Sequence, residues 1–253
     1  IIDGQQRLTT IYILIKALID VAESDGEKEV LASVVFNEDK FKKYNLQGAN
    51  ITVPFKESVI NLCDELDSIA KEIGSINTLV RIGDKIKGYN TDAPGFMMAI
   101  SEFGKINKAL ILGAGGTAKA LAYILDLSGV DVEILNRSDK SEQFNNYKFH
   151  THTNFTPSSY DLVVNTTSAG LCNDELPCDK HLLNDIFSNL KFAFDVIYNK
   201  NTQFLRLANE LNVQNKDGRD MLLYQAVLAF NIFFDNKFNQ DKITQLMRGV
   251  FEL

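Results

Sequence analysis

The stretch ALILGAGGTAKALAYIL, residues 109–125, constrains the fold of this chain most strongly. A short apolar run leads into Gly113, Gly115 and Gly116, and a helical pattern of small and apolar residues follows. A strand, a glycine turn and a helix form the first half of a dinucleotide-binding βαβ unit, because the glycines permit a tight turn and let a pyrophosphate approach the backbone. The N–H groups at the helix N-terminus would then meet the phosphates. We therefore predict a dinucleotide site here rather than a plain structural turn.

The following strand indicates which dinucleotide binds. Residues 130–140, VDVEILNRSDK, alternate apolar and polar side chains as a strand does and continue into Asn136, Arg137 and Ser138. An NAD site usually has an acidic residue at this strand end, where it accepts from the ribose 2′-OH. Arg137 suits a 2′-phosphate instead, so the sequence favours NADP. The alternative is that Arg137 and Lys140 are only a solvated pair in a loop.

Composition excludes several classes of partner. The chain has 253 residues, a net charge of −7 and a pI near 5.1, which argues against a nucleic-acid or anionic membrane surface. No apolar run reaches the length of a membrane span, and no signal-peptide pattern opens the chain. The few cysteines indicate reduced thiols in a cytoplasmic protein, and neither they nor the histidines show the spacing of a metal site: Cys63, Cys172, Cys178, His150, His152 and His181.

Strand-like and helix-like segments alternate along the chain, which predicts an α/β fold. The periodicities predict helices at residues 8–19, 56–73, 92–100, 202–211, 218–234 and 241–251. They predict strands at residues 32–36, 47–55, 161–165 and 192–197, and a hairpin at residues 76–92 with its turn at Gly83 and Asp84. Residues 145–159 are expected to form a surface loop with a short strand.

From about residue 41 to its end, the chain resembles the shikimate dehydrogenase family. The matching segments are GANITVPFK, SINTLV, GYNTDAPGF, ILGAGGTAKA, LNRS, VVNTTSAGL, FDVIY and DGRDMLLYQA. The resemblance implies two α/β domains: a Rossmann-like NADP-binding domain at residues 102–218, and a substrate domain at residues 1–101 and 219–253. It also implies a monomer or homodimer that reversibly reduces 3-dehydroshikimate to shikimate with NADPH.

Two residues match the catalytic pair of the family. Reduction of a ketone needs a proton for the developing alkoxide, and a positioned Lys can donate one. By resemblance, Lys56 is the catalytic Lys, and Asp92 is the carboxylate that orients it and holds a substrate hydroxyl. Without the resemblance, Lys56 would be interpreted as a solvated residue at a helix start and Asp92 as an N-cap.

The resemblance also assigns the binding residues. It places Thr52, Asn77, Tyr198 and Gln225 at positions that hydrogen-bond the hydroxyls and carboxylate of the substrate. It assigns the NADP contacts to residues of the glycine turn and of later strand ends: Gly113, Ala114, Gly115, Gly116, Thr117, Ala118, Asn136, Arg137, Ser138, Thr166, Val196 and Gly218. Val196 stands where the family often has Met.

The N-terminus departs from the family pattern. Residues 1–40 lack the G-x-P-x-x-H-S-x-S-P-x-x-H-N segment, whose two serines bind the substrate carboxylate. Instead, IIDGQQRLTTIYILIKAL resembles the DGQQR segment of ParB-like domains in restriction systems. We therefore expect a foreign segment joined to the family sequence, and two functions stay open: a working dehydrogenase, or an NADP-binding remnant with impaired substrate binding. A nuclease-linked role is disfavoured by the acidic charge and by the shortness of the segment.

Overall fold

The computed structural model describes residues 47–52 and 55–251. The predicted helix at residues 8–19, the predicted strand at residues 32–36 and the DGQQR segment lie outside the described residues. The chain divides into two compact units, one comprising the chain up to Gly95 together with Leu222–Leu253, and the other comprising Phe96–Met221. Both units combine strands with helices, so the predicted α/β class is confirmed.

The elements of the described residues follow in chain order. The strands are β1 Gly48–Asn50, β2 Glu65–Leu66, β3 Thr78–Ile82, β4 Lys85–Tyr89, β5 Lys108–Leu112, β6 Asp131–Asn136, β7 Lys148–Thr151, β8 Leu162–Asn165, β9 Phe192–Asp195 and β10 Gln214–Lys216. The α-helices are α1 Ser68–Ile73, α2 Asp92–Ala99, α3 Gly116–Leu127, α4 Lys180–Phe187, α5 Gln203–Glu210, α6 Arg219–Phe233 and α7 Gln240–Phe251. Short 3-10 helices cover Ser58–Leu62 and Ser141–Gln143.

The first unit contains a mixed sheet with the strand order β1-β3-β4-β2. The predicted hairpin is confirmed: β3 and β4 pair antiparallel, and Gly83 between them has φ +61°, a conformation that glycine adopts without steric cost. The pairing of β1 with β3 sets Asn50 opposite Thr78, so the chain after β1 runs beside the start of β3. This register brings the segment around Lys56 close to Asn77.

The prediction of one helix over residues 56–73 is wrong. The structure has the 3-10 helix, strand β2 and helix α1 there instead. Two acidic side chains interrupt the helical path: Asp64 accepts from Ile86 N at 2.7 Å, and Asp67 accepts from Ala70 N at 2.5 Å as the N-cap of α1. Short acidic side chains that bond the backbone favour caps and turns over helix interiors. The apolar spacing of the segment therefore reflects burial by three short elements.

The second unit is built on a fully parallel six-stranded sheet with the order β10-β9-β8-β5-β6-β7. This is the order of a dinucleotide-binding doubly wound sheet, in which the strand order reverses between the first and fourth strands. Here these strands are β5 and β8, so the crevice at the switch point opens beyond Leu112 and Asn165. Ligands of such sheets bind at the carboxyl ends of the strands.

Helices cover the second sheet through a core of large apolar side chains, which includes Leu110, Phe187 and Phe204. The sequence analysis missed two elements of this unit, α4 and β10. An N-cap signal was present for α4, since Asp179 accepts from His181 N and Leu182 N. Among the described residues, no helix combines the length and apolar character that crossing a membrane requires.

Candidate active site

The backbone fixes Lys56 against the start of β3. Ile51 N donates to Asn77 O at 2.7 Å, and Ile76 N donates to Lys56 O at 2.9 Å. Between these two contacts the chain turns, with Phe55 N donating to Thr52 O at 3.0 Å. The segment that carries Lys56 is thus bonded at both ends to the segment that carries Asn77, which limits where the Lys56 side chain can reach.

Lys56 and Asp92 form a partly buried ion pair. Lys56 Nζ lies 2.7 Å from Asp92 Oδ2, and the two side chains are 22% and 16% exposed. Asp92 opens α2, but Asn90 provides the cap, because Asn90 Oδ1 accepts from Ala93 N at 3.1 Å. The interpretations of Lys56 as a solvated helix-start residue and of Asp92 as an N-cap are therefore wrong. The cap of α2 is provided by Asn90, and the carboxylate of Asp92 instead contacts the ammonium group of Lys56.

Asn77 holds the other oxygen of this carboxylate. Its Oδ1 accepts from Thr91 N at 2.8 Å, and a backbone N–H can only donate, so the orientation of the amide is determined. Its Nδ2 consequently donates to Asp92 Oδ1 at 2.9 Å, to Thr91 Oγ1 at 2.8 Å and, at a longer 3.4 Å, to Gln225 Oε1. With one oxygen bonded to Lys56 and the other to Asn77, the Asp92 carboxylate cannot rotate freely.

The structure brings together four of the predicted residues of the first unit. Lys56, Asp92, Asn77 and Gln225 form one hydrogen-bonded chain, although Gln225 comes from α6, far along the sequence. Gln225 is buried, and its Nε2 donates to Leu222 O at 2.9 Å. Thr52, four residues before Lys56, is partly exposed, and no side-chain hydrogen bond joins it to the described residues. The cluster combines one cation with several oriented polar groups, as recognition of a hydroxylated acid requires.

In the second unit, the glycine turn follows β5 as predicted. Gly113 has φ +110°, and a Cβ at this residue would lie 2.6 Å from Thr166 Oγ1. Gly113 N donates to Leu135 O at 2.8 Å, while Thr166 N and Oγ1 both donate to Leu112 O. Two predicted cofactor residues, Gly113 and Thr166, thus meet at the switch point of the sheet, where a side chain on residue 113 has no room.

The N-terminus of α3 has the features of a phosphate site. Gly115 is its N-cap, with no side-chain cap, and a Cβ on Gly115 would meet no atom within 4 Å. Ala118, by contrast, is completely buried, which allows the helix to pack closely on the sheet. Open space beside uncapped N–H groups at a helix start fits a pyrophosphate. Gly116 and Thr117 form the first turn of this helix.

The remaining predicted cofactor residues follow the carboxyl ends of the neighbouring strands. Residues 136–138 lie at the end of β6, Val196 follows β9, and Gly218 follows β10. Gly218 N donates to Ile197 O at 3.1 Å, and a Cβ on Gly218 would overlap the carbonyl of Val196. All these positions lie at the one edge of the sheet where a dinucleotide would bind.

The end of β6 fits a nucleotide with a 2′-phosphate. Arg137 is exposed, and Asn136 Nδ2 donates to Ser138 O at 2.8 Å, which shapes the turn around it. Lys140 Nζ lies 3.4 Å from Ala114 O, so the loop after β6 reaches the glycine turn. Lys140 beside the glycine turn and Arg137 after a strand end that carries no acid fit NADP.

Asp195 ends β9, and Tyr198 lies on the loop that follows it. Burial raises the pKa of Tyr198 to about 12, so its hydroxyl stays a neutral donor. Asp195 is completely buried and accepts from Asn165 Nδ2, Ile197 N and Thr202 Oγ1 at 3.1, 3.0 and 2.6 Å. Burial raises its pKa to about 6. Residue types and spacing did not predict this network, which fixes the backbone beside Val196 and Tyr198.

Glu133 is a second buried carboxylate that the sequence did not reveal. It accepts from Tyr160 Oη, on the loop before β8. It also contacts Lys108 on β5 and both Lys148 and His150 on β7. Burial alone would raise its pKa, but these hydrogen bonds lower it to about 2. The described residues contain no group of His, Cys, Asp and Glu that could hold a metal ion. Glu133 therefore joins strands within the sheet.

Comparison with known protein sequences extends the resemblance. The family model described as "Shikimate dehydrogenase substrate binding domain" matches residues 23–79. The match begins upstream of residue 41, so the expectation that family sequence is absent before about residue 41 is wrong. The NADP(+)-dependent shikimate dehydrogenase of Helicobacter hepaticus is 44% identical over an alignment of 209 residues, which covers 80% of this chain and 77% of that protein.

Two solved structures resemble the fold. A chorismate mutase/shikimate 5-dehydrogenase fusion protein from Clostridium acetobutylicum has a TM-score of 0.80 and 28% identity, covering 96% of this chain and 92% of the other. Shikimate 5-dehydrogenase from Thermus thermophilus, solved in complex with NADP(H) and shikimate, has a TM-score of 0.69 and 27% identity over 83% of this chain and 81% of the other.

Proposed function

The chain belongs to the shikimate dehydrogenase family, and on that premise we propose that it catalyses the reversible NADPH-dependent reduction of 3-dehydroshikimate to shikimate. We assign substrate binding to residues 1–101 and 219–253 and NADP binding to residues 102–218. The observation that carries this proposal is the Lys56–Asp92 ion pair, whose carboxylate is held on its other oxygen by Asn77.

The proton transfer is assigned to Lys56. As the ketone carbon is reduced, its oxygen develops alkoxide charge, and Lys56 Nζ donates a proton to that oxygen. In the reverse direction the same nitrogen accepts the proton of the shikimate hydroxyl. Asp92 Oδ2, 2.7 Å from Nζ, orients the ammonium group and stabilises its charge. The carboxylate also has lone pairs left to accept from a neighbouring substrate hydroxyl.

Asn77 and Gln225 would recognise the other hydroxyls. The Nδ2 of Asn77 is shared among three acceptors, and its contact with Gln225 is the longest of them at 3.4 Å. A substrate hydroxyl can replace that long contact and bond both amides, while the shorter bond from Asn77 to Asp92 persists. We assign Thr52 to substrate binding as well, and also Tyr198, although it lies within residues 102–218. Thr52 O accepts from Phe55 N, and Asp195 Oδ1 accepts from Ile197 N beside Tyr198, so each hydroxyl lies on a hydrogen-bonded loop.

The crevice at the switch point of the parallel sheet would hold NADP, which supplies the hydride when it is bound as NADPH. The contacts are assigned to residues 113–118, residues 136–138, Thr166, Val196 and Gly218. The N–H groups at the start of α3 would bind the pyrophosphate, and Arg137 would pair with the 2′-phosphate. The apolar Val196 would lie against the nicotinamide.

Turnover of shikimate tests this function directly. The purified chain is supplied with shikimate and NADP, and NADPH formation is followed by absorbance, with NAD and with quinate as alternative substrates. We expect turnover that requires shikimate and prefers NADP to NAD. Absence of turnover together with retained NADP binding would contradict the proposal and favour an NADP-binding remnant.

Three finer expectations accompany this function. We propose a cytoplasmic location and a monomeric or homodimeric state, the latter measurable by sedimentation of the purified chain. The resemblance of residues 1–20 to the DGQQR segment stays a prediction, and a nucleotide-hydrolysis assay on the same preparation tests it. We expect no hydrolysis, because the segment is much shorter than the domain to which it is related.

A further inference from the structure

Gly95 lies one turn into α2, against the backbone of α6. Both Gly95 and Gln225 belong to the first unit. A Cβ on Gly95 would lie 2.8 Å from Gln225 N, 3.1 Å from its Cα and 3.1 Å from its Cβ. These atoms are the backbone and the root of a helical residue, so they cannot move aside as the end of a flexible side chain would. Any side chain at residue 95 must push the two helices apart.

Glycine is unfavourable inside a helix, because it destabilises the helix relative to Ala. Gly95 N donates to Thr91 O at 3.0 Å, so the residue belongs to the regular helix and not to a turn. Its φ is not in the left-handed region. Close approach of the two helices is the feature of this site that only glycine permits.

Each of the two helices carries one member of the hydrogen-bonded cluster. Asp92 lies three residues before Gly95 on α2, and Gln225 is the very residue that Gly95 contacts on α6. Gln225 Oε1 reaches Asn77 Nδ2 at 3.4 Å, near the limit of a hydrogen bond. A separation of a few tenths of an ångström would therefore remove Gln225 from the cluster while leaving Lys56, Asp92 and Asn77 in place.

We propose that Gly95 is a positioning residue for substrate binding. Its missing side chain sets the distance between α2 and α6 at which the carboxamide of Gln225 completes the Lys56–Asp92–Asn77 cluster. This inference rests on the proposed function, because it acts through a residue assigned to the substrate. It predicts that bulk at residue 95 weakens recognition of shikimate more than it slows chemistry.

The test is Gly95→Ala, with Gly249→Ala as the matched control. Gly249 also lies inside a helix, α7, but a Cβ there would meet nothing within 4 Å. We expect Gly95→Ala to raise the KM for shikimate by roughly 10-fold, the size of effect that losing one hydrogen bond to the substrate produces. The KM for NADP should stay unchanged, kcat should fall much less, and the control should match the parent chain.

A double-substitution cycle separates positioning from a general loss of structure. In a Gln225→Ala background the carboxamide is already absent, so Gly95→Ala should raise the KM for shikimate little further. An equal rise in both backgrounds, or an unchanged KM in Gly95→Ala, would overturn the inference.

Two further measurements cover the remaining outcomes. Gln225→Asn shortens the side chain without adding bulk, so it tests the same distance if Gly95→Ala fails to fold; an unchanged KM for shikimate in that variant would overturn the inference. If the parent chain neither turns over nor binds shikimate in a titration, the proposed function and this inference both fall. Turnover by the parent chain with an indifferent Gly95→Ala overturns the inference alone.

Discussion

The two units prepare their halves of the proposed reaction in different ways. In the first unit, side chains form the proposed site: Lys56, Asp92, Asn77 and Gln225 hold one another through hydrogen bonds. In the second unit, the backbone forms the proposed site through a glycine turn, an uncapped helix start and the ends of parallel strands. A site made of side chains is disrupted when a functional group is removed. A site made of backbone is disrupted when a side chain is added where glycine has none.

The largest effect is expected for Lys56→Ala, which tests the side-chain half. Loss of the proton donor should lower kcat by ~10³-fold, within the usual range for general acid catalysis, while NADP affinity stays the same. Steady-state kinetics with shikimate and a separate NADP titration measure both. Lys71→Ala, which removes an exposed lysine of the same unit, serves as the control and should behave as the parent chain does. A kcat for Lys56→Ala close to that of the parent would contradict the assignment of proton transfer to this side chain.

Gly113→Ala tests the backbone half. The new Cβ would lie 2.6 Å from Thr166 Oγ1 at a residue with φ +110°. Strain of this kind costs about 1–3 kcal/mol, which corresponds to roughly 10- to 100-fold weaker NADP binding if it falls on the bound geometry. Gly104→Ala is the matched control, since its Cβ would meet Phe192 at an ordinary 3.5 Å. NADP titration measures the effect, and equal affinities in the two variants would contradict it.

Arg137→Ala probes the one cofactor contact in the second unit that we assign to a charged side chain. The variant should lose about tenfold of its preference for NADP over NAD, because a charge-assisted hydrogen bond contributes about 1.5–3 kcal/mol and less where it is exposed. The ratio of kcat/KM for the two cofactors is the measurement, and turnover with NAD provides the internal control. A ratio that does not change would assign the discrimination to the backbone or to Lys140.

The smallest effect concerns the stability of the second unit at different pH values. Burial raises the pKa of Asp195 to about 6 from the ordinary value of 3.8, so the folded chain binds its proton more tightly than the unfolded chain does. The resulting stabilisation is fully present below the unfolded pKa and is lost as pH rises through about 6. Between pH 5 and 7.5 the parent should lose about 1 kcal/mol of unfolding free energy relative to Asp195→Asn.

Urea unfolding of both chains at the two pH values provides this difference. Comparing the parent with the variant cancels the contribution of every other titrating group that the substitution leaves unchanged. A constant difference between the two chains would show that Asp195 does not titrate between pH 5 and 7.5 and would contradict the prediction.

Local patterns predicted short-range features in both units. The glycine turn and the following helix in the second unit, and the hairpin at Gly83 in the first, all depend on residues close together in sequence. The proposed cofactor positions lie at strand ends, which a strand pattern locates to within a few residues. The prediction failed at residues 56–73, where the apolar spacing matched a helix although Asp64 and Asp67 bond to the backbone and interrupt it.

Features that depend on distant contacts could not be predicted from residue types and spacing alone. Glu133 occupies a position that an alternating strand pattern would expose, yet its partners from β5, β7 and the loop before β8 make it buried. The Lys56–Asp92 pair came from family resemblance, since spacing alone favoured a solvated lysine and a cap. Gly95 matched a family segment, but only the packing of α6 against it shows why a side chain does not fit at this residue.

The discontinuity of the first unit has a consequence for synthesis on the ribosome. The second unit is one continuous stretch, so its sheet can be completed once Met221 has left the exit tunnel. The first unit must wait for Leu222–Leu253, the segment that carries Gln225 and closes the cluster around Asn77. A nascent chain can therefore complete the second unit before the first unit exists, and a chain that stops before Leu222 would contain the second unit without a complete first unit.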